Sequence, residues 1–294
     1  MSITIKNNIL AVFIVQFDVH KGNVIEWQYP NDVDLEGVEY QAICSGLHRV
    51  ESDIIYFYRQ DKYGISVFRN IATNSIEERG ACMKAIGLLV KPTEHTDLCG
   101  EVWSHAPFLK EELIKHMDSS SEATIDPRRY DCLIEYYTRH QMKREFINKA
   151  NNRTYSAPSI SSSIDNSSVN YSLRKISIQN EERQENHNIL FSMDSSFPDF
   201  VQQLGPNIFV LWKAALLRKR IVLLNMPPME ATCKYVYNIH QLGQIPVQFQ
   251  NNNNIRPLFT IGVNDIPQLE EMNHQSYIVH LILYSNQKQI YMIY

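Results

Sequence analysis

Cys44-Ser45-Gly46-Leu47-His48-Arg49 sets a thiol ahead of an arginine across a glycine, the residue types of a cysteine-phosphatase loop. The run is one residue short of the spacing that would let loop amides cradle a phosphate, so the match is superficial. Asp32-Val33-Asp34 could share a divalent cation between two carboxylates, but a carboxylate there also caps a helix, and capping is the simpler role. His95, Cys99 and His105 offer nitrogen and sulfur ligands in a short span. Zinc needs four ligands, and only His116 stands near enough to be considered as the last. The phosphate-loop, dinucleotide, zinc-protease and nucleophile-elbow patterns are absent from the chain. No catalytic, cofactor-binding or metal residue is assigned, and no cofactor is expected.

A more specific signal lies in the middle of the chain. Arg153-Thr154-Tyr155-Ser156-Ala157-Pro158 puts a basic residue ahead of a serine and a proline after it, the arrangement that 14-3-3 proteins recognise once the serine is phosphorylated. Arg174-Lys175-Ile176-Ser177 repeats the basic lead. Phosphate on Ser156 or Ser177 would add about −1.5 to −2 charge and three acceptor oxygens. Residues 146–189 hold Asn, Ser, Arg, Glu and Gln with little apolar clustering, so a disordered linker is expected there.

The elements on either side are dense in structural signal. Ile9 to Phe17 is too apolar to face water and predicts an interior strand; Gly22 and Asn23 predict a turn into a partner strand, Val24 to Tyr29. Asn31 or Asp32 should cap a helix running through Leu35, Val38, Ala42 and Ile43, with Asp34, Glu36 and Glu39 in its first turns. Asp53 to Arg59, Gly64 to Ile71 and Met83 to Val90 predict three more strands, and Phe108 to Met117 a helix after Pro107. An antiparallel sheet with helices on one face is the economical arrangement. Beyond the linker, Gly205-Pro206 separates a short helix from a longer one whose Ile208, Leu211, Trp212, Ala215 and Leu216 share a face. Arg218, Lys219 and Arg220 suit the negative end of that helix or an anionic contact. Ile221 to Leu224 predicts a strand covered on both faces. Cys233 to His240 predicts a helix, and Leu258 to Val263 and Ile278 to Tyr284 predict strands. The terminal Lys288 to Tyr294 is an apolar strand without a cap, as in an interrupted domain.

The chain has 294 residues, 44% apolar and 20% charged, with a net charge of −4, giving no bulk electrostatic reason to bind nucleic acid. The longest apolar runs fall short of the roughly 20 residues of a membrane span, so no transmembrane segment is expected. The first residues lack a signal-peptide core, and five cysteines without CxxC spacing fit a reducing compartment, so a cytoplasmic location is expected.

Leu10 to Pro30, Asp32 to Arg59, Tyr63 to Asn70 and Glu78 to Val90 together resemble the longin-type N-terminal module of DENN-domain proteins, particularly the LCHN subgroup. Phe200 to Pro228 is similar to the start of the central DENN module. The resemblance implies an α/β chain: an α+β longin-like module over 1–145, the linker over 146–189, and an α/β central DENN module over 190–294. It also implies a guanine-nucleotide exchange factor for a Rab-family GTPase in membrane trafficking, cytoplasmic and peripheral on membranes. The alternative is a scaffold that does not exchange nucleotide, recruits partners through sheet edges and is regulated by linker phosphorylation.

Overall fold

A computed structural model describes residues 8–73, 80–93, 99–118, 128–141, 196–245, 255–272, 275–282 and 289–293. The chain is α/β, built on one nine-stranded mixed sheet. β1 (Ile9–Asp18) is interior, hydrogen-bonded on both sides, as its unbroken apolar run requires. Its turn into β2 (Gly22–Tyr29) is closed by Asp18, whose Oδ1 accepts the amides of His20 and Lys21 at 2.8 and 2.9 Å. β3 (Ser52–Arg59) and β4 (Lys62–Ala72) form a hairpin with Gln60 and Asp61 both left-handed, the backbone that a two-residue turn needs to follow the strand twist. β5 (Ala81–Val90) pairs with both β1 and β4, completing an antiparallel order β2-β1-β5-β4-β3.

Helices cover both faces of this part of the sheet, not one. Ser66 Oγ donates to Ala42 O of α1 (Val38–Ala42) at 3.0 Å, while its neighbour Val67 shares a cleft with Leu113 of α2 (Ala106–Asp118). Successive strand residues point to opposite faces, so α1 and α2 lie on opposite sides. α3 (Asp131–His140), which the sequence reading left unassigned, packs on β1. α1 itself is shorter than expected. Asp34 Oδ1 accepts the Glu36 amide at 2.9 Å and closes a turn ahead of the helix, and Gly37, left-handed at φ 83°, becomes the residue before its first turn. Leu35 is still buried in the core, but outside the helix.

The second half carries α4 (Phe197–Leu204), α5 (Ile208–Leu216), β6 (Arg220–Asn225), α6 (Met229–Leu242), β7 (Arg256–Ile261), α7 (Ile266–Glu271), β8 (Tyr277–Ile282) and β9 (Gln289–Ile293). β7, β8 and β6 run parallel and β9 closes the row antiparallel. α5 buries only part of the expected face, through Leu211, Ala215 and the partly buried Ile208. Leu211, Ala214 and Ala215 are buried, whereas Trp212 and Leu216 are exposed. The helix is apolar almost all round, so periodicity could not choose, and the small side chains decide because they allow close approach to α6. A Cβ on Gly243, at the end of α6, would lie 3.3 Å from that of Ala215. Arg218, left-handed at φ 56°, donates to Gly243 O at 2.9 Å and so satisfies a carbonyl at the end of α6.

One glycine is required by contact rather than by φ. A Cβ on Gly64 would sit 2.1 Å from the Phe57 ring, inside a fully buried cluster. Gly64→Ala is expected to lower stability by about 1–3 kcal/mol through overpacking. Chemical denaturation checks this, and a change below ~0.5 kcal/mol would contradict the packing described.

Candidate functional site

Among the described residues, the two halves of the sheet meet at one backbone pairing, Phe57 of β3 with Phe259 of β7. Phe259 is left-handed at φ 60° beside a register shift in β7, and its ring packs against Tyr56 and Tyr63, with centroids 5.7 and 6.0 Å away. Side chains stitch the rest of the junction. Gln41 Nε2 donates to Asp265 Oδ1 at 2.7 Å, Arg256 Nη1 donates to the Tyr58 hydroxyl at 2.6 Å, and Trp103 stands edge-on to Tyr237 at 5.0 Å.

Asp53, at the start of β3, is the central polar residue of this junction. Its carboxylate accepts the amides of Met229 and Glu230 at 2.6 and 3.1 Å, and that of Ile54 at 2.8 Å. Met229 and Glu230 open α6, so a residue from the first half satisfies the unpaired amides of a helix in the second. Burial pushes the Asp53 carboxyl up to about 6, against the three amides that favour its charged form. Beside Asp53 lies an open cleft of about 330 Å3, walled mostly by the first half, with Arg69, Lys110 and Ile114 among its residues, and by Pro228 and Glu230 of the second. Both charge signs are represented, and Ile114 is 46% exposed at its rim. A shallow cleft of mixed charge with an apolar edge suits a protein loop better than a small substrate.

The residues singled out from sequence lie elsewhere. Cys44 is buried, and burial together with nearby Asp53 pushes its thiol up, which opposes a nucleophilic thiolate. Gly46 at φ 87° leads into a short turn over Leu47–Arg49 instead of a phosphate cradle. His105 Nδ1 lies 2.8 Å from the Tyr136 hydroxyl, and Arg129 Nε donates to His116 Nδ1 at 3.1 Å. Burial holds these imidazoles down, at about 3 and about 4. Among the described residues no group of three or more potential metal ligands comes together. His95, Ser156 and Ser177 lie outside the described residues. Trp27 is stacked on Tyr130, centroids 4.7 Å apart. Also among the described residues, no helix is long and apolar enough to cross a membrane.

Asp53 was missed from sequence because it reads as the polar edge of an apolar strand. Its partners are 176 and 177 residues away.

The profile of the family described as DENN domain-containing protein 11 matches residues 12–285. The chain belongs to that family. The DENN domain-containing protein 11 of Danio rerio is 32% identical over 98% of this chain and 54% of the relative. That of Rattus norvegicus is 29% identical over 98% of this chain and 57% of the relative. An uncharacterized protein of Saccharomyces cerevisiae, ANR2, is 22% identical over 90% of this chain and 52% of its own. The chain thus spans little more than half the length of the DENN domain-containing protein 11 relatives. The match runs across both halves of the sheet and through the Phe57–Phe259 junction.

Proposed function

We propose that this chain supplies the GTPase-docking part of a guanine-nucleotide exchange factor for a Rab-family GTPase, acting in the cytoplasm and peripherally on trafficking membranes. Membership of a DENN-domain family is the observation that carries this reading. The cleft beside Asp53 supports it, because exchange asks for a surface complementary to the nucleotide-free GTPase. A factor that binds the empty GTPase more tightly than the loaded one lowers nucleotide affinity by the same ratio. In the proposed organisation 1–145 and 190–294 are the two modules whose boundary forms the cleft. Residues 146–189 form a regulatory linker that phosphorylation at Ser156 or Ser177 would present to 14-3-3 proteins.

The test is release of fluorescent GDP from a panel of purified Rab GTPases. Acceleration for one or a few is expected, and Ile114→Glu, at an exposed position on the cleft rim, is expected to cut kcat/KM about tenfold or more. Silence across the panel, with the chain shown to be folded, would sink the exchange reading. A second reading is favoured by one observation: β2 forms an outer edge of the sheet. An added strand from another protein would make the chain a recruiting scaffold, and a binding partner lost on mutation of β2, without nucleotide release, would identify that role.

A further inference from the structure

One partly buried charge in the wall of the cleft beside Asp53 has no partner among the described residues. The Asp53 carboxylate is taken up by three backbone amides, and Glu230 is held by Lys234 at 2.8 Å on its own helix. Glu51 is exposed to water. Arg69 is different: it is partly buried on β4, on the same side of the strand as Val67, and its guanidinium makes no hydrogen bond or ion pair with a described residue. A cation drawn partly out of water without a partner costs free energy that an arriving anion recovers. Lys110 of α2 lines the same cleft and is a second cation there. The rest of the wall is largely apolar, with Val67, Leu113 and Ile114 on the side of Arg69.

A space of about 330 Å3 is about 7 Å across, the span of two residues of extended chain. A segment that fills it therefore meets Arg69 and the apolar wall with neighbouring side chains. We propose that the cleft reads an acidic residue beside an apolar one on the docked GTPase, the carboxylate pairing with the Arg69 guanidinium and the apolar side chain packing on Leu113 and Ile114. The assignment rests on the exchange reading proposed above and makes Arg69 the residue that sets which GTPase is served. A planar guanidinium takes a carboxylate in two parallel hydrogen bonds, which a neutral side chain cannot imitate. A Rab GTPase with an apolar or basic residue at the matching position leaves Arg69 dehydrated and unpaired, so the wrong partner is rejected by that cost as much as the right one is held by the pair.

The test carries the release of fluorescent GDP to Arg69→Met, Arg69→Lys and Arg69→Glu, on a Rab GTPase that the unaltered chain accelerates. Arg69→Met is expected to cut kcat/KM at least about tenfold and Arg69→Glu further; Arg69→Lys should cost less, since it keeps the charge and loses the fork. Each Asp and Glu in the nucleotide-responsive surface segments of that GTPase is then reversed to Arg. One such reversal should impair exchange by the unaltered chain and speed exchange by Arg69→Glu at least about tenfold. A fault confined to the fold of Arg69→Glu cannot be repaired from the partner's side, so the rescue decides whether or not the melting temperature of that variant falls. Arg69→Met within about twofold of the unaltered chain, with Ile114→Glu impaired, overturns the carboxylate pairing and leaves the cleft as a docking surface. Failure of every reversal to rescue Arg69→Glu overturns the pairing as well. If no Rab GTPase of the panel is accelerated by the unaltered chain, the exchange reading and the role of Arg69 fall together.

Discussion

Lys84→Ala is expected to destabilise the protein by about 3–5 kcal/mol, because it strands a buried carboxylate. Lys84 Nζ lies 2.8 Å from Glu26 Oε2, and the two side chains are only 8% and 16% exposed. Lys84 comes from β5 and Glu26 from β2, strands that do not touch each other but both border β1. The Tyr130 hydroxyl donates to the other Glu26 oxygen at 3.3 Å, and Arg129 stands 3.8 Å from it. Arg129 also donates to the His116 carbonyl at 3.2 Å, so the carboxylate ties the sheet to the end of α2 and the approach to α3. Arg129, 3.8 Å from the carboxylate, and the Tyr130 hydroxyl still compensate part of the stranded charge, which places the loss toward the lower end of the range. Replacing both partners, Lys84→Met with Glu26→Leu, should recover most of it, because a buried ion pair exchanged for apolar side chains of similar volume is often neutral. Urea denaturation of the single and double variants decides: a single-variant loss below ~1 kcal/mol would show that the pair is not essential.

Acid should unfold the protein well above the range in which carboxylates titrate. His105 is held down at about 3, and His240 and His280 at about 4, in each case mainly by burial. In the unfolded chain each takes up a proton near 6.5. Between pH 6.5 and 4 the unfolded state therefore binds more protons than the folded one, and stability falls as pH falls. Each group contributes on the order of 3 kcal/mol at 1.36 kcal/mol per unit, and three together approach the whole stability of an ordinary domain. Asp53 works the other way. Its folded value, up at about 6, makes the fold bind the extra proton between pH 6 and 4, offsetting roughly 3 kcal/mol at most. The histidines outweigh it. Denaturation midpoints measured from pH 7.5 to 4.5 should fall steadily, and His280→Leu, within the buried part of β8, should shift the loss to lower pH. A flat profile down to pH 4.5 would refute this account.

The parts of the fold visible in the sequence were those in which one local preference dominates. β1, β3, β4 and β6 are runs of branched and aromatic residues bounded by turn formers, and each lies within a residue or two of its expected place. α1 began late because Asp34 satisfied a turn amide instead of a helix, a choice that residue type leaves open. α3 had a readable pattern, Leu133, Tyr136 and Tyr137 at helical spacing, obscured by the charged residues between them. The placement of α1 and α2 on opposite faces depends on crossover direction, which strand patterning does not encode. The cleft was invisible for a different reason. It is made by Asp53 meeting Glu230, and nothing local to either residue records the other.

The junction between the halves has a mechanical meaning. A sheet joined by a full ladder transmits shear as one plate, whereas this one carries, among the described residues, a single backbone rung, Phe57 to Phe259, between two well-paired sections. With no ladder to resist twist about that rung, the side-chain bonds of Asp53, Gln41 and Arg256 across the junction oppose it. The cleft lies to one side of the rung, beside Asp53, so its width is set by the side-chain bonds across the junction and not by a backbone ladder.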